Sequence, residues 1–229
     1  MQYFFYLTQI ISLGIFVLFV IAKTAYLNRK EKISAIKINI FAPGARKHLF
    51  EILMFLSVLV WSFILLIYFL NKAFDTPLNI PGLILFDITA LKIFGILLEF
   101  CGFVIFIIAL INMGNSWRLG IDDKNPGKLV TSGIFSISRH PIYLFFNLYF
   151  FGAFFVSGDL IFIIFAILLL FVMHIQMLRE EHFLLSVYGS AYKDYMDNVS
   201  RYFTFKLFYN FKKTKYPFRV AETRQEEQA

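Results

Sequence analysis

The amino-acid sequence predicts an all-α fold, a polytopic membrane helical bundle of five transmembrane helices with a cytoplasmic helical extension at its C-terminal end. Two observations predict this class. Hydrophobic residues make up 59% of the 229 residues against 16% charged residues, and the apolar residues gather in long runs. Soluble domains usually contain about 45–50% apolar and about 25% charged residues. The composition therefore excludes a soluble globular enzyme, and the 31 Phe residues exclude a disordered chain.

The apolar runs predict the positions of the membrane helices, because a helix needs about 20 mostly apolar residues to cross the hydrocarbon core. The runs are Tyr3–Ala22, Leu49–Leu70, Leu91–Ile111, Pro141–Val156 and Leu160–Met177. Only Ser157, Gly158 and Asp159 separate the last two, and these are typical turn residues. We therefore expect a tight helical hairpin there. No basic residue precedes the first run, so we interpret it as a spanning helix and not as a signal peptide.

The basic residues predict the orientation, because Lys and Arg accumulate in cytoplasmic loops. Of the 22 Lys and Arg residues, all except Lys72 and Lys92 lie in 23–47, in 114–139 or after Met177. These three parts share one side of a five-helix bundle. We expect that side to be the cytoplasm, at a bacterial inner membrane or a eukaryotic endoplasmic reticulum. The positive charges then meet lipid headgroups, so the net charge of +7 requires no nucleic-acid partner.

The chain divides into three parts in this interpretation. Residues 1–113 form three N-terminal transmembrane helices, residues 114–202 hold most polar motifs, and residues 203–229 form an aromatic and basic interfacial segment with a polar tail. Cys101 is the single cysteine, which excludes an internal disulfide and a cysteine metal site. An HExxH motif is also absent from the sequence, so we expect no metal ion.

The first polar cluster is GKLVTSGIFSISRHPIY, residues 127–143. Pro141 suits the first position of the fourth helix, and His140 then lies at its cap. The unpaired amides and the positive dipole end of this helix favour an anion such as a carboxylate or a phosphate. The alternative is that Arg139 and His140 only mark the lipid boundary.

The second polar cluster is QMLREEHFLLSVYGSAYKDYMDNV, residues 176–199. We expect the fifth helix to continue to Tyr188 and to stop at Gly189. The helical period predicts one face with His174, Leu178 and Glu181, and a neighbouring face with Gln176 and Glu180. Two adjacent carboxylates at a membrane exit favour a cationic or hydrogen-bonding ligand, because burying them unpaired costs free energy. The alternative is that both are solvated and that Arg179 pairs with lipid phosphate.

Together, LVTSGIFSISRHPIY and REEHFLLSVYGSAYKDYMDNVSRY resemble the integral membrane methyltransferases of the isoprenylcysteine carboxyl methyltransferase and phospholipid methyltransferase superfamily. The resemblance covers residues 114–202, which would be the methyltransferase core. It implies that S-adenosyl-L-methionine binds at the cytoplasmic end of these helices. It also implies a lipid, or a lipidated small molecule or peptide, as the methyl acceptor that enters from the membrane.

The resemblance also implies roles for individual residues. The cofactor-binding set is Lys128, Leu129, Val130, Phe135, His140, Pro141, Ile142, Tyr143 and Glu180. The catalytic set on the acceptor side is Arg179, Gln176 and Glu181. Isoprenylcysteine methyltransferases carry an arginine at the position of Gln176, which is thought to hold the acceptor carboxylate. Arg179 would take this role from another face of the fifth helix. Glu181 or His174 would serve as a base, which an amine or thiol acceptor needs and a carboxylate does not.

Three departures from the family pattern bear on the acceptor. Phe145 stands at a common glycine, so we expect a narrower cavity beside the cofactor. Phe135 stands at a common tyrosine and Ser200 at a common proline. The resemblance implies carboxyl O-methylation of the isoprenylcysteine type, with phospholipid N-methylation or thiol S-methylation as the alternative. A non-catalytic lipid-binding or partner-binding protein and a small transporter are alternatives of other classes.

Glu99 is an acidic residue inside a predicted span, on one helix face with Gly95 and Gly102. Small residues let a second helix approach closely. We expect Glu99 either to hydrogen-bond another helix or to contact the acceptor.

Overall fold

The computed structural model describes residues 2–30, 49–74, 82–117 and 127–204, and within these ranges the regular structure is helical. The α-helices are α1 Gln2–Lys30, α2 Leu49–Phe74, α3 Thr89–Met113, α4 Pro141–Ser157, α5 Leu160–Tyr188 and α6 Ser190–Asn198. Two short 3-10 helices, Gly114–Ser116 and Gly133–Ser136, lie between α3 and α4. The prediction of an all-α fold is confirmed for this part of the chain.

Four of the described helices, α1, α2, α3 and α5, are long and apolar enough to cross a membrane. The apolar helix α4 has only 17 residues. At about 1.5 Å per residue it is about 26 Å long, short of the roughly 30 Å hydrocarbon core. The membrane prediction is therefore confirmed for four helices, and the fifth span stays a prediction.

Helices α3 and α4 pack with their backbones close together through small residues. A Cβ atom at Gly95 would lie 2.6 Å from the carbonyl oxygen of Gly152, and one at Gly102 would lie 3.3 Å from that of Phe145. Side chains larger than hydrogen do not fit at the first of these contacts. The predicted close helix approach at Gly95 and Gly102 is thus present, and the partner is α4.

Glu99 lies on the same face of α3 and is 4% exposed. Its Oε2 accepts a hydrogen bond of 2.8 Å from Nε2 of Gln9 in α1. Nearby, the Ser12 and Tyr149 hydroxyls are 2.9 Å apart and join α1 to α4. Glu99 therefore forms a hydrogen bond between two helices, which is the first of the two expectations for this residue.

The turn between α4 and α5 is the predicted tight hairpin. Gly158 has φ +67°, a left-handed conformation that favours glycine. Asp159 caps α5, where its Oδ1 accepts a hydrogen bond from the Ile161 amide at 3.1 Å. The turn is also tied to the segment before α3, because Leu160 N donates to Leu83 O and Leu85 N donates to Gly158 O.

Candidate functional site

A cavity of about 170 Å³ lies where α4 begins and where α5 runs past it. The sequence-predicted residues that line it are Lys128, Leu129, Val130, Phe135, His140, Tyr143, Gln176 and Glu180. They come from a loop, from the start of α4 and from the second half of α5. The fold thus brings the two polar clusters of the sequence to one cavity.

The remaining predicted residues lie outside this lining. Pro141 is buried at the first position of α4, and Ile142 packs against the main hydrophobic core. Glu181 points into an ion-pair cluster, and Arg179 lies on another face of α5. Phe145 is fully buried and stacks on Phe106 of α3 at 4.7 Å between ring centroids. We expected Phe145 to narrow the cavity. Its ring instead lies in the interface between α3 and α4 and does not line the cavity.

The 3-10 helix before α4 is anchored to the end of α3. The Asn112 side chain accepts a hydrogen bond of 2.8 Å from the Ile134 amide. Gly133 has φ +64°, a backbone conformation that favours glycine. A Cβ atom there would also meet the Asn112 Oδ1 atom, so a larger side chain would displace the amide that holds the Ile134 N–H group. On the other side, the Tyr195 hydroxyl of α6 donates to the Phe135 carbonyl at 2.6 Å.

The loop at residues 127–130 is held at its first residues by two hydrogen bonds. The Lys128 amide donates to the Ser116 hydroxyl at 3.3 Å. The Tyr188 hydroxyl, at the end of α5, donates to the Gly127 carbonyl at 3.0 Å. The loop that carries Leu129 and Val130 is thus positioned between the end of α3 and the end of α5.

The segment after α6 returns along the residues that precede α4. Arg139 N donates to Ser200 O at 3.1 Å, and Thr204 N donates to Ile137 O at 2.8 Å. The Ser138 hydroxyl donates to the Arg201 carbonyl at 3.2 Å. These contacts hold the segment after α6 against the residues that precede α4 and bring Arg201 to α5.

Glu181 is the centre of a buried ion-pair cluster and is 5% exposed. Its Oε1 lies 3.1 Å from Arg139 Nη2 and 3.1 Å from His140 Nε2. Arg201 donates from Nε to Oε1 at 2.9 Å and from Nη2 to Oε2 at 2.6 Å. The other ring nitrogen of His140, Nδ1, lies 3.8 Å from Glu180 Oε2. His140 therefore lies between the two adjacent carboxylates.

Several buried polar atoms at this cavity have no hydrogen-bond partner within the described ranges. They are Nε and Nη1 of Arg139, Oε1 of Gln176 and the hydroxyl of Tyr192. The Arg139 side chain is only 8% exposed. Buried polar groups are nearly always hydrogen-bonded in native proteins, so unpaired donors and acceptors around one cavity indicate a polar ligand.

The protonation of the residues around the cavity follows from burial and charge. The hydrogen bond to Glu181 raises the pKa of Arg201, although partial burial opposes this shift, so this guanidinium stays charged. Burial, followed by the Glu181 carboxylate, raises the pKa of Tyr192. Burial also raises the pKa of Tyr195, with the positive charge of Arg139 acting in the opposite direction. Both phenols are therefore neutral hydrogen-bonding groups at physiological pH.

Arg179 lies away from the cavity, above the ring of Phe50 at the start of α2, with 5.0 Å from the guanidinium carbon to the ring centroid. It borders a separate surface groove with Ile175, Leu178 and His182. His174, the other expected base, has its Nδ1 2.7 Å from the Tyr202 hydroxyl. The structure therefore brings neither Arg179 nor His174 to the residues that line the cavity.

Three residues that support the site were not predicted from the sequence, because they lie outside the start of α4 and the second half of α5. Asn112 holds the 3-10 helix, and Arg201 and Tyr195 come from the segment that follows α5. The arginine and tyrosine lie in the second motif and could have been considered. Nothing local in the sequence indicates the role of Asn112.

Residues 91–191 match the family described as phospholipid methyltransferase. No curated protein matches the chain. The match covers nearly all of α3, the loop that follows it, α4 and α5, which carry most of the residues that line the cavity. Within the described residues, no group of three or more His, Cys, Asp and Glu side chains could hold a metal ion.

Proposed function

We propose that this chain, a member of the integral membrane methyltransferase superfamily over residues 91–191, transfers a methyl group from S-adenosyl-L-methionine to an acceptor carried by the membrane. The observation that supports this function most is the cavity in which both polar motifs meet, with unpaired donors of Arg139 at its wall. Methyltransferase membership comes from the family match, and the cofactor, the acceptor and the residue roles are our proposals.

The residues around the cavity fit the groups of S-adenosyl-L-methionine. Nε and Nη1 of Arg139 are two buried cationic donors that suit a carboxylate. The positive end of α4 favours the same anion. The Glu180 carboxylate suits an ammonium or ribose hydroxyls, and Leu129 and Phe135 offer apolar contact to a purine. When bound, the cofactor supplies a methyl group on a positively charged sulfur.

The size of the cavity sets a condition on this binding. Pockets that enclose small molecules usually measure about 300–1,000 Å³, and this one measures about 170 Å³. An occupant as large as a nucleoside therefore requires side chains at the mouth to move. Lys128, which is exposed, and Glu180, whose side chain is 34% exposed, are two lining residues with room to do so.

In this proposal the protein aligns the acceptor with the methyl donor and excludes water, which are the main demands of an in-line displacement. Glu181 acts as a positioning residue, because three cationic or hydrogen-bonding side chains already occupy its oxygens. A base for an amine or thiol acceptor would be Glu180, whose carboxylate lies at the cavity beside His140. Arg179 has no catalytic role in this arrangement.

The acceptor class has two candidates. The resemblance of the motifs favours a carboxylate of the isoprenylcysteine type. The observation that favours a phospholipid amine is Gln176, which lines the cavity as a neutral residue with an unpaired Oε1. That oxygen would accept a hydrogen bond from an N–H group and would not attract a carboxylate. The phospholipid description of the matched family is compatible with this second candidate.

We also propose the membrane arrangement that the sequence predicts. Helix α4 would be the fifth span and would cross a locally thinner bilayer as half of the hairpin with α5. In this arrangement the cavity and the end of α5 would lie at the cytoplasmic face, on the side of the basic loops. A soluble donor and a membrane-borne acceptor then meet at the interface between the two solvents.

The test supplies methyl-labelled S-adenosyl-L-methionine to membranes that contain the protein and to matched membranes without it. We expect label in the lipid-extractable fraction only with the protein. Base treatment then separates the candidates, because a methyl ester releases methanol and an N-methyl or S-methyl product retains the label. His140→Gln and Glu180→Gln should abolish labelling while the protein still inserts. Near-normal turnover in both variants would refute this placement of the site.

A further inference from the structure

The Tyr192 hydroxyl is a buried polar group at the cavity that folding leaves unpaired. Tyr192 lies in the first turn of α6, lines the cavity and is 1% exposed. Its hydroxyl has no hydrogen-bond partner within the described ranges. One turn further along α6, the Tyr195 hydroxyl donates to the Phe135 carbonyl and is therefore paired. The proposed methyl transfer, as described so far, gives the Tyr192 hydroxyl no role.

Packing of the Tyr192 ring keeps this hydroxyl at the cavity. The ring belongs to a small hydrophobic cluster with Tyr195 and Val199. Leu129 and Leu184, which also line the cavity, pack against this cluster. An unpaired hydroxyl in such a place costs free energy that a phenylalanine would avoid. The hydroxyl therefore indicates a polar partner that binds in the cavity.

The charges beside Tyr192 favour an anionic partner. Arg139 and Arg201 both pair with the Glu181 carboxylate, so these three side chains carry an excess of one positive charge. Burial and then the Glu181 carboxylate raise the pKa of Tyr192, and the Arg139 charge opposes them, as expected of neighbouring side chains. Nε and Nη1 of Arg139 are buried and unpaired. A hydroxyl and a guanidinium both donate hydrogen bonds, so together they suit the two oxygens of a carboxylate.

We propose that the Tyr192 hydroxyl donates a hydrogen bond to the carboxylate at the amino-acid end of the methyl donor, beside an N–H group of Arg139. This inference rests on the proposed function and extends it, because it names the end of the ligand that this wall of the cavity recognises. The partly exposed Glu180 carboxylate then faces the ammonium of the same amino acid. Tyr192 is a cofactor-binding residue from α6, outside the two helix segments that carry the predicted binding residues.

The test compares two ligands that differ only in this carboxylate. S-adenosylhomocysteine has the carboxylate, and S-adenosyl-3-thiopropylamine lacks it. Isothermal titration calorimetry on the purified full chain measures both affinities. We expect Tyr192→Phe to bind the first about tenfold more weakly than the wild type does, because a hydrogen bond to a charged group is lost. It should bind the second as the wild type does. Tyr26→Phe, at an exposed position of α1, is the control and should change neither affinity.

Melting temperatures of the ligand-free chain separate this role from a structural one. Tyr192→Phe should melt at or slightly above the wild type, because it loses no hydrogen bond within the described ranges. Tyr195→Phe should melt lower, because it loses the bond to the Phe135 carbonyl. A melting temperature of Tyr192→Phe as low as that of Tyr195→Phe would overturn the inference, since the hydroxyl would then be paired within the chain.

The binding data distinguish failure of this inference from failure of the proposed function. Unchanged affinity of Tyr192→Phe for S-adenosylhomocysteine, or an equal loss of affinity for both ligands, would overturn the inference alone. Absence of S-adenosylhomocysteine binding by the wild type would instead refute the proposed function.

Discussion

Arg201 donates two hydrogen bonds to Glu181, from Nε to Oε1 at 2.9 Å and from Nη2 to Oε2 at 2.6 Å. This bidentate pair joins the segment after α6 to the far half of α5. Arg139 reaches the same carboxylate from the residues that precede α4. Glu181 therefore connects three parts of the chain, and its loss would affect the cavity through Arg139 and His140, which line it.

The first prediction concerns this pair. Arg201→Gln should lower the free energy of unfolding by about 1.5–3 kcal/mol, because it removes two hydrogen bonds to a buried carboxylate. Arg201→Lys should recover only part of this loss, because an ammonium cannot form the planar two-pronged contact. Melting temperature in a single detergent is the measurement. Lys193→Gln, at an exposed position of α6, is the control. Equal melting temperatures of Arg201→Gln and this control would contradict the assignment.

The second prediction separates charge from hydrogen-bond geometry at Arg139. Arg139→Lys keeps a positive charge beside Glu181 but loses the fork of donors that includes the unpaired Nε and Nη1. We expect the affinity for S-adenosyl-L-methionine to fall about tenfold, while the melting temperature stays close to that of the wild type. Isothermal titration calorimetry measures the affinity, and Arg29→Lys is the control. An unchanged affinity would show that these donors do not face the cofactor.

The third prediction concerns stability at alkaline pH. Burial raises the pKa of Tyr195 in the folded chain, against about 10 in the unfolded chain. The unfolded state therefore loses its proton first, so the stability is fully present below about pH 10 and decreases as pH rises further. Tyr195→Phe should cost about 1 kcal/mol at pH 7, through the lost hydrogen bond to the Phe135 carbonyl. It should also make the decrease above pH 10 shallower.

Tyr26→Phe in α1, at a side chain that is 44% exposed, is the control for this series. Melting temperatures from pH 7 to 11 provide the measurement. If Tyr195→Phe followed the same alkaline slope as the wild type and the control, the buried Tyr195 phenol would not be the titrating group.

The fourth prediction concerns the close packing of α3 on α4. Gly95→Ala would place a Cβ atom 2.6 Å from the Gly152 carbonyl oxygen, and a backbone atom cannot yield cheaply. We expect a loss of about 1–3 kcal/mol, the usual range for overpacking. Gly14→Ala in α1 is the matched control, because nothing lies within 4 Å of its added Cβ atom. A melting temperature of Gly95→Ala equal to that of Gly14→Ala would argue against this helix contact.

The sequence predicted the parts of the fold that local chemistry determines. Pro141 begins α4, Gly158 forms the hairpin turn and Gly189 ends α5, as their conformational preferences indicate. Part of the cavity lining was also predicted, because the start of α4 and the second half of α5, which carry the two motifs, lie side by side. The apolar runs, however, mark only the segment that suits lipid. They therefore do not show that α1 continues to Lys30, well beyond its apolar run.

The contacts that depend on long-range packing could not be predicted in this way. The sequence offers Arg179 next to the two glutamates, but the helical period directs it to the outer face of α5, over Phe50. Arg201 reaches Glu181 instead, because α6 turns the chain back toward α5. Asn112 and Gly133 meet across a long loop, and neither residue indicates the other in the sequence.

The most direct test of the central claim is equilibrium binding of labelled S-adenosyl-L-methionine to the purified full chain. We expect saturable binding by the wild type, an affinity at least about tenfold lower for Glu180→Gln, and no change for Asp194→Asn, the same change at an exposed acid of α6. Absence of binding by the wild type would contradict the account, and so would equal affinities of the wild type and Glu180→Gln.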